Sequence, residues 1–504
     1  MKYKIVIFLW MLLSVVNCVG QNRNNIWCFG DSAGIDFNNG AVPIISSLNT
    51  RGSCVSYCDT SGQLKLYAST GDNNDFTNYP FYTRVFNSSN LLIVNGDSIR
   101  GTGWYKELVL IPMPGDSMKY YLFSIGVTMT SGPGFSYSVV DMALNAGLGE
   151  VVQKNVLLHP FQCTDGISAI KHGNGRDWWI IFRRWDSIND QFYKYLITPA
   201  GISNVQIQNI GAPTNNGFTN MNFSPDGSKM VVINLAGLME LYDFDRCSGM
   251  ISNPVTIHPE PTTSPYGRFL GCEFSGSGRF LYVSTYNTYE SALFQYDLLS
   301  ANPVATRCTL EYNPGLRVGN GFLRRGPDQK IYFGRAWECA AFPDCYPYPD
   351  SVYNQINMNL SVINSPDSLG LACDYAPYSF YLGGKRTYYG LPNNPDYDMP
   401  ALAGSPCDTL VGISEQLTTI TTPQLNIFYH LQWQTAFINA SNLTGTKGTL
   451  EIFDVQGKIV HREDIQIMNG YYTRNFNMTG MAKGMYFVNL ITSGKRLTGK
   501  FIKH

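Results

Sequence analysis

Three segments of this chain repeat one short pattern at a fixed interval, and that interval restricts the fold more than any other feature. Phe223-Ser224-Pro225-Asp226-Gly227 leads into Met230-Val231-Val232-Ile233, and Phe274-Ser275-Gly276-Ser277-Gly278 into Phe280-Leu281-Tyr282-Val283. Gly326-Pro327-Asp328-Gln329 leads into Ile331-Tyr332-Phe333. Ser224, Ser275 and Gly326 are separated by 51 and 51 residues. Self-similarity at such a period marks a repeat architecture. Each copy reads as strand, tight turn, strand: Pro presets φ at the second turn position, Asp and Gly complete the turn, and the next strand alternates inward and outward. A further strand ends near Tyr242-Asp243 and Tyr296-Asp297. Three or four strands in about fifty residues make one blade of a β-propeller.

Weaker copies extend the series. Ser61-Gly62, Asp116-Ser117 and Gly175-Arg176-Asp177 each precede an aromatic or apolar strand, and Gly383-Gly384 precedes Thr387-Tyr388-Tyr389. Turns at 62, 117, 175, 227, 278, 329 and 384 predict seven blades over residues 22–395. Beyond them, Asn-Pro-Asp-Tyr-Asp-Met-Pro and Gly404-Ser405-Pro406-Cys407 have several Pro and no apolar period, so residues 396–424 read as a linker. Residues 425–504 return to short apolar runs ended by Gly, the pattern of hairpin-joined strands. The fold class expected is all-β, a seven-bladed propeller followed by a small immunoglobulin-like sandwich.

Composition fits an exported protein. Charged residues are 14% and aromatics 13%, with 48 Gly and 32 Tyr. Turns need the Gly and sheets favour the aromatics. A formal charge of −1 without Lys/Arg clusters ahead of the C-terminus excludes a nucleic-acid partner held through phosphates. Lys2 and Lys4, the apolar run Ile5 to Val16 and Gly20 before Gln21 read as a signal peptide over 1–20. That run is too short for a membrane span, and no later segment is long enough, so no transmembrane segment is expected in the mature chain. A lipoprotein reading of Cys18 meets Asn17 where a small residue belongs. The 12 Cys suggest disulfides in an oxidising compartment. Cys54 with Cys58, and Cys339 with Cys345, are the nearest pairs, although connectivity is not readable from sequence. Neither pair has C-x-x-C spacing or a nearby His, so no metal and no cofactor is expected.

Within the tail, Glu451-Ile452-Phe453-Asp454-Val455-Gln456-Gly457-Lys458 is followed by Gly484-Met485-Tyr486-Phe487-Val488 and then by Gly499-Lys500-Phe501-Ile502-Lys503-His504. The pattern DxxGK, then GxYxV, then a basic last strand resembles the type A C-terminal sorting domain of the Bacteroidetes type IX (Por) secretion system. Pro423-Gln424-Leu425-Asn426-Ile427 stands where that family carries Tyr-Pro-Asn-Pro. The resemblance implies passage to the cell surface or medium, with the type IX translocon as partner. It assigns Gly457, Lys458, Gly484, Tyr486, Val488, Lys500 and Lys503 to the sorting signal. Trp27 to Phe37, Tyr137 to Met142, Leu144 to Gly149, Lys171 to Trp179 and Tyr389 to Asn393 also resemble exported Bacteroidetes proteins with a WD40-like propeller ahead of such a domain, a family with no agreed activity.

Few residues in the sequence point to catalysis. No H-E-x-x-H occurs. Propeller-bearing peptidases carry their triad on a separate α/β domain, for which the chain after the linker is too short. His172, before a Gly-rich turn, reads first as a blade-turn residue. A glycosidase would need paired carboxylates about 5 to 9 Å apart. The candidates are Asp72 with Asp75, or Asp141, Asp165 and Asp177, and Asp at a turn ordinarily caps backbone N–H groups. Aromatics carry more information. Trp178, Trp179 and Trp185 crowd one blade, where alternate rings must face opposite sides. Tyr346, Tyr348 and Tyr353 lie in a Pro-rich insertion longer than a turn requires. Tyr346, Tyr348, Trp178, Trp179 and Trp185 are thus the candidates for binding an extracellular protein or glycan by stacking. A non-catalytic binding module is the expected function; a propeller enzyme acting on glycans and a structural surface component are the alternatives.

Overall fold

In the computed structural model, the described residues are 22–503 apart from 72–81, 102–104, 127–133, 186, 261–267, 287–289, 315–317, 338–351, 409–422, 431–433, 442, 468–471 and 494. Residues 1–20, expected to be a signal peptide, and Asp72, Asp75, Cys339, Cys345, Tyr346 and Tyr348 lie outside them.

The repeated turns form as their chemistry dictates. Gly227 takes φ +72°, a value that favours glycine, and Asp226 Oδ1 accepts from Ser224 Oγ at 2.6 Å and from Ser228 N at 3.0 Å. Ser224 Oγ in turn accepts from Lys229 N at 2.9 Å, so the turn is held from both sides. Such turns join antiparallel strands into seven sheets, and the innermost strands of blades 2 to 7 are Cys54–Cys58, Leu108–Met113, Cys163–Lys171, Thr219–Phe223, Phe269–Phe274 and Val318–Arg325. Apart from short 3₁₀ turns, the described residues contain no helix. Apolar side chains of adjacent blades interlock, as where Ile170, Trp179 and Ile181 of blade 4 meet Met221, Met230 and Tyr242 of blade 5.

The count of seven blades stands, but one blade differs in origin. Gly383-Gly384 does not open a seventh repeat. The additional sheet comes from the N-terminus, where Ile26–Phe29, Asp31–Asp36 and Val42–Asn49 pair as three strands. Its innermost position is taken by the chain that follows blade 7. Asp31 N donates to Arg386 O at 2.9 Å, Phe322 N of blade 7 donates to Tyr389 O at 2.7 Å, and Gly390 N donates to Arg51 O ahead of blade 2. Arg386 fastens this closure, with Nη2 on Asp31 Oδ2 at 2.6 Å and Nε on the same oxygen at 3.0 Å. Chain from both ends therefore completes blade 1.

The supposed linker begins as part of the propeller. From Leu391 to Met399 the chain passes through the central channel, from the upper face, where each outer strand hands over to the next blade, to the lower face, where each inner strand turns back. Asn393 N donates to Cys54 O at 2.8 Å, and Asn394 Oδ1 accepts from Ser56 N at 2.9 Å. Tyr397 Oη donates to Leu110 O at 2.9 Å. At the lower face Leu402 N donates to Gly173 O at 2.7 Å, Arg246 Nη2 donates to Pro400 O at 2.6 Å, and a disulfide joins Cys247 to Cys407. Pro and Asn give no apolar period, yet inner-strand backbone groups facing the channel need partners, and these side chains supply them.

Cys54 and Cys58 remain free and buried. They stand at opposite ends of one strand, about 13 Å apart at a strand rise of about 3.3 Å per residue, far beyond disulfide reach.

Residues 424–503 form two facing sheets. One comprises Gln424–His430, Thr435–Ser441 and Tyr472–Asn477; the other runs in the order Ile459–Gln466, Lys447–Phe453, Gly484–Thr492, Lys495–Lys503. Ile438, Leu450, Ile452, Val488 and Leu490 fill the space between them.

Candidate functional site

The upper mouth of the channel is closed by aromatic rings. Tyr105 lies 5.6 Å from Phe322, 5.6 Å from Tyr389 and 6.2 Å from Phe218, and Tyr389 lies 5.8 Å from Tyr286. Arg51 stacks on two of them, 4.9 Å from the Tyr105 centroid and 5.3 Å from that of Tyr389. Tyr105, Phe322 and Tyr389 are buried, while Phe218 and Tyr286 are half-exposed on the upper face. No periodic signal marks these residues. Tyr105, Phe218 and Tyr286 stand just outside strand ends, Phe322 lies within Val318–Arg325 and Tyr389 in the closing segment, so each looks ordinary in sequence.

Beneath the rings lie carboxylates that no ligand on the upper face can touch. Asp165 Oδ1 accepts from Lys106 N at 3.1 Å and Tyr105 N at 3.3 Å, and Glu107 accepts from Ser53 Oγ. Burial, reinforced by the neighbouring Glu107 carboxylate, pushes the Asp165 carboxyl well above the usual carboxylate range. Asp141 and Asp177 are elsewhere. Asp177 sits in a lower-face turn bound to Asn174 and Arg176, and Asp141 caps Ala143 N. The structure therefore does not bring Asp141, Asp165 and Asp177 together.

Between the channel segment and the inner strands of blades 4 to 7 a cavity of about 70 Å³ remains, lined in part by Glu273, Arg324, Arg325, Asn394 and Asp396. Glu273 is occupied there, accepting from Phe274 N at 3.1 Å and Arg325 N at 3.2 Å. Among the described residues no group of three His, Cys, Asp or Glu is arranged to hold a metal ion.

His172 is a connector between blades. Its Nδ1 accepts from Asn174 N at 3.1 Å, and its Nε2 meets Cys247 O at 2.8 Å. Burial lowers its pKa, so the neutral ring carries this bridge.

The three tryptophans separate by location. Trp178 and Trp179 are each 1% exposed and serve opposite interfaces, Trp178 in the core shared with blade 3 and Trp179 in that shared with blade 5. Trp179 Nε1 donates to Arg246 O at 2.9 Å, and its ring lies where a Cβ on Gly249 would approach to 2.8 Å. Neither ring is available for stacking on a ligand, because the strand alternation that separates them buries both. Trp185 differs. It begins the loop after its strand on the upper face, is half-buried, packs on Gly217 beside Phe218, and donates from Nε1 to Asn215 O at 2.8 Å. Trp337 and Tyr353 border the insertion that contains Tyr346 and Tyr348, and the Arg386 guanidinium lies 4.2 Å from the Tyr353 ring centroid. The upper rim thus gathers Trp185, Phe218, Tyr286, Trp337 and Tyr353.

In the tail, the motif positions mostly build the fold. Gly457, at φ +78°, completes a turn in which Asp454 Oδ1 accepts from Gln456 N and Lys458 N. Gly484 adopts φ +147°. Tyr486 and Val488 are buried, and Tyr486 Oη donates to Ala482 O at 2.7 Å. Lys503 turns inward, its Nζ donating to Met478 O and Met481 O at 2.7 Å each, whereas Lys458 and Lys500 are exposed. Residues 431–504 match the family described as the secretion system C-terminal sorting domain. The tail is a type IX sorting domain. The sorting domain directs this protein through type IX secretion to the cell surface or extracellular space, and the secretion machinery is its partner. No helix among the described residues is long and apolar enough to cross a membrane.

No curated protein matches the chain. Among solved structures, a protein described as a candidate 6-phosphogluconolactonase from Bacteroides fragilis is similar at 12% identity and TM-score 0.45, over 73% of this chain and 96% of that one. A periplasmic gluconolactonase from Pseudomonas aeruginosa is similar at 12% identity and TM-score 0.35, over 82% of this chain and 99% of that one. At these values the likeness carries neither substrate nor mechanism across.

Proposed function

We propose that the propeller is a non-catalytic binding module that type IX secretion delivers to the outside of the cell, and that its ligand, a glycan or a protein, sits on the upper rim. The observation that supports this reading is the sealed mouth: among the described residues, Tyr105, Phe322 and Tyr389 lie above the buried Asp165 and Glu107 and close that carboxylate pair to a ligand at the entrance. Trp185, Tyr286 and Tyr353 offer flat faces around that seal, suited to stacking on sugar rings or peptide side chains. The purified chain applied to a glycan array, beside a Trp185→Ala variant, tests the reading. Saturable binding to one glycan class that Trp185→Ala weakens supports it. Turnover of a glycan without retention would overturn it.

A further inference from the structure

The sorting domain must be recognised, yet the residues that make its sequence motif legible are largely hidden. Val488 and Tyr486 fill the core, and Lys503 is bonded inward. Recognition therefore has to use other side chains, and the domain's surface indicates which. Among the described residues from 424 onward, four large apolar side chains are exposed: Val455 at 66%, Ile459 at 44%, Phe487 at 42% and Ile502 at 47%.

These four gather at one end of one sheet. Phe453 is paired with both Phe487 and Ile459 across neighbouring strands, Met485 is paired with Ile502, and Phe487 with Lys500. Directly opposed residues share a face, as do residues two apart on a strand, so Phe453, Phe487, Met485 and Ile502 face outward together. Val455 lies in the adjoining turn with Gly457 and Lys458. A contiguous exposed apolar patch on a small domain marks an interaction surface. Its borders are basic, with Lys458 and Lys500 exposed beside it. Residues 425–504 hold nine Lys and Arg against four Asp and Glu, whereas the whole chain has a formal charge of −1.

We infer that this outer face, centred on Phe487 and Ile502 and framed by Lys458 and Lys500, is the surface by which the secretion machinery captures the sorting domain. Its counterpart is an apolar socket rimmed by carboxylates. Intervening positions of the motif, read from sequence as spacers between Gly484, Tyr486 and Val488, are the contact residues. The inference rests on the sorting assignment and is independent of what the propeller binds.

The test uses the full-length chain in a host with the type IX system, comparing protein at the surface and in the medium with protein left in the periplasm. Phe487→Ser and Ile502→Ser make the exposed face more polar and leave the core intact. Each is expected to reduce export about tenfold or more, the loss that follows removal of one interface anchor. Purified variants should melt within about 2 °C of the native chain. Leu299→Ser, at an equally exposed apolar position on the propeller, should export normally. Lys500→Glu decides the case if either serine variant proves unstable, because an exposed charge reversal leaves the fold in place. Reduced export of Lys500→Glu supports the surface. Normal export of Lys500→Glu, or of a stable Phe487→Ser/Ile502→Ser double variant, overturns it.

Discussion

The side-chain amide of Asn393 donates to the carbonyl oxygen of Ile167 at 2.9 Å, and its other hydrogen reaches Leu108 O at the same distance. One residue thereby satisfies backbone groups of two blades from inside the channel. Replacing it with Ala leaves two buried carbonyls without partners, each costing about 1–3 kcal/mol. Asn393→Ala is expected to lower the thermal midpoint clearly while Asn394→Ala, which faces the single residue Ser56 through its side chain, does so less. Scanning calorimetry of both variants checks the order.

The Cys247–Cys407 disulfide spans 160 residues of sequence and holds the lower end of the channel segment. Loss of such a crosslink typically removes about 2–4 kcal/mol. Cys407→Ser, or reduction by dithiothreitol, should lower the midpoint and hasten proteolysis between residues 400 and 408. Equal cleavage rates with and without reductant would contradict this.

Lys194 is buried, donating from Nζ to Gly249 O at 2.6 Å and Gln208 Oε1 at 2.7 Å, and burial lowers its pKa to about 7. An unfolded Lys titrates near 10.4. Between these values the unfolded chain binds the proton that the folded chain refuses. Stability contributed by this site therefore rises as pH climbs from about 7 to about 10, by at most about 1.4 kcal/mol per pH unit. Lys194→Met should flatten that rise relative to the native protein, as measured by denaturant unfolding across the range.

Trp179 and Trp185 should respond in opposite ways. Removing the buried Trp179 ring is expected to cost about 3–5 kcal/mol of stability. Trp185→Ala should leave the fold largely intact and reduce ligand retention. Melting curves and glycan binding, measured on the same two proteins, separate the roles.

What could be read from the sequence follows the range of the interactions. The hairpin at Ser224-Pro225-Asp226-Gly227 is specified within five residues, so the repeat announces itself and the propeller with it. Blade 1 is hidden because its inner position belongs to Arg386 to Gly390, at the other end of the propeller, and no local pattern records that partnership. Asn393, Asn394 and Tyr397 look like linker because their partners are carbonyl and amide groups, which leave no trace in hydrophobic periodicity. The rings at the mouth leave no sequence signature for a related reason, since Tyr105, Phe218 and Tyr389 meet only after the blades have assembled. In the sorting domain the alternation was plain, but motif spacing drew attention to Tyr486 and Val488 on the inner face while Phe487 carried the outer one.

Fixing Cys407 to blade 5 also separates two mechanical duties. The chain leaves the propeller at that covalent bond before it reaches the sorting domain, so a pull on the tail is borne by Cys247 and its sheet and does not reach Asn393 or Tyr397. Equally, a cut anywhere beyond residue 408 leaves the ring closed and its channel filled. Cys407 acts as a mooring: the tail can be towed, held or shed without loosening the body it delivers.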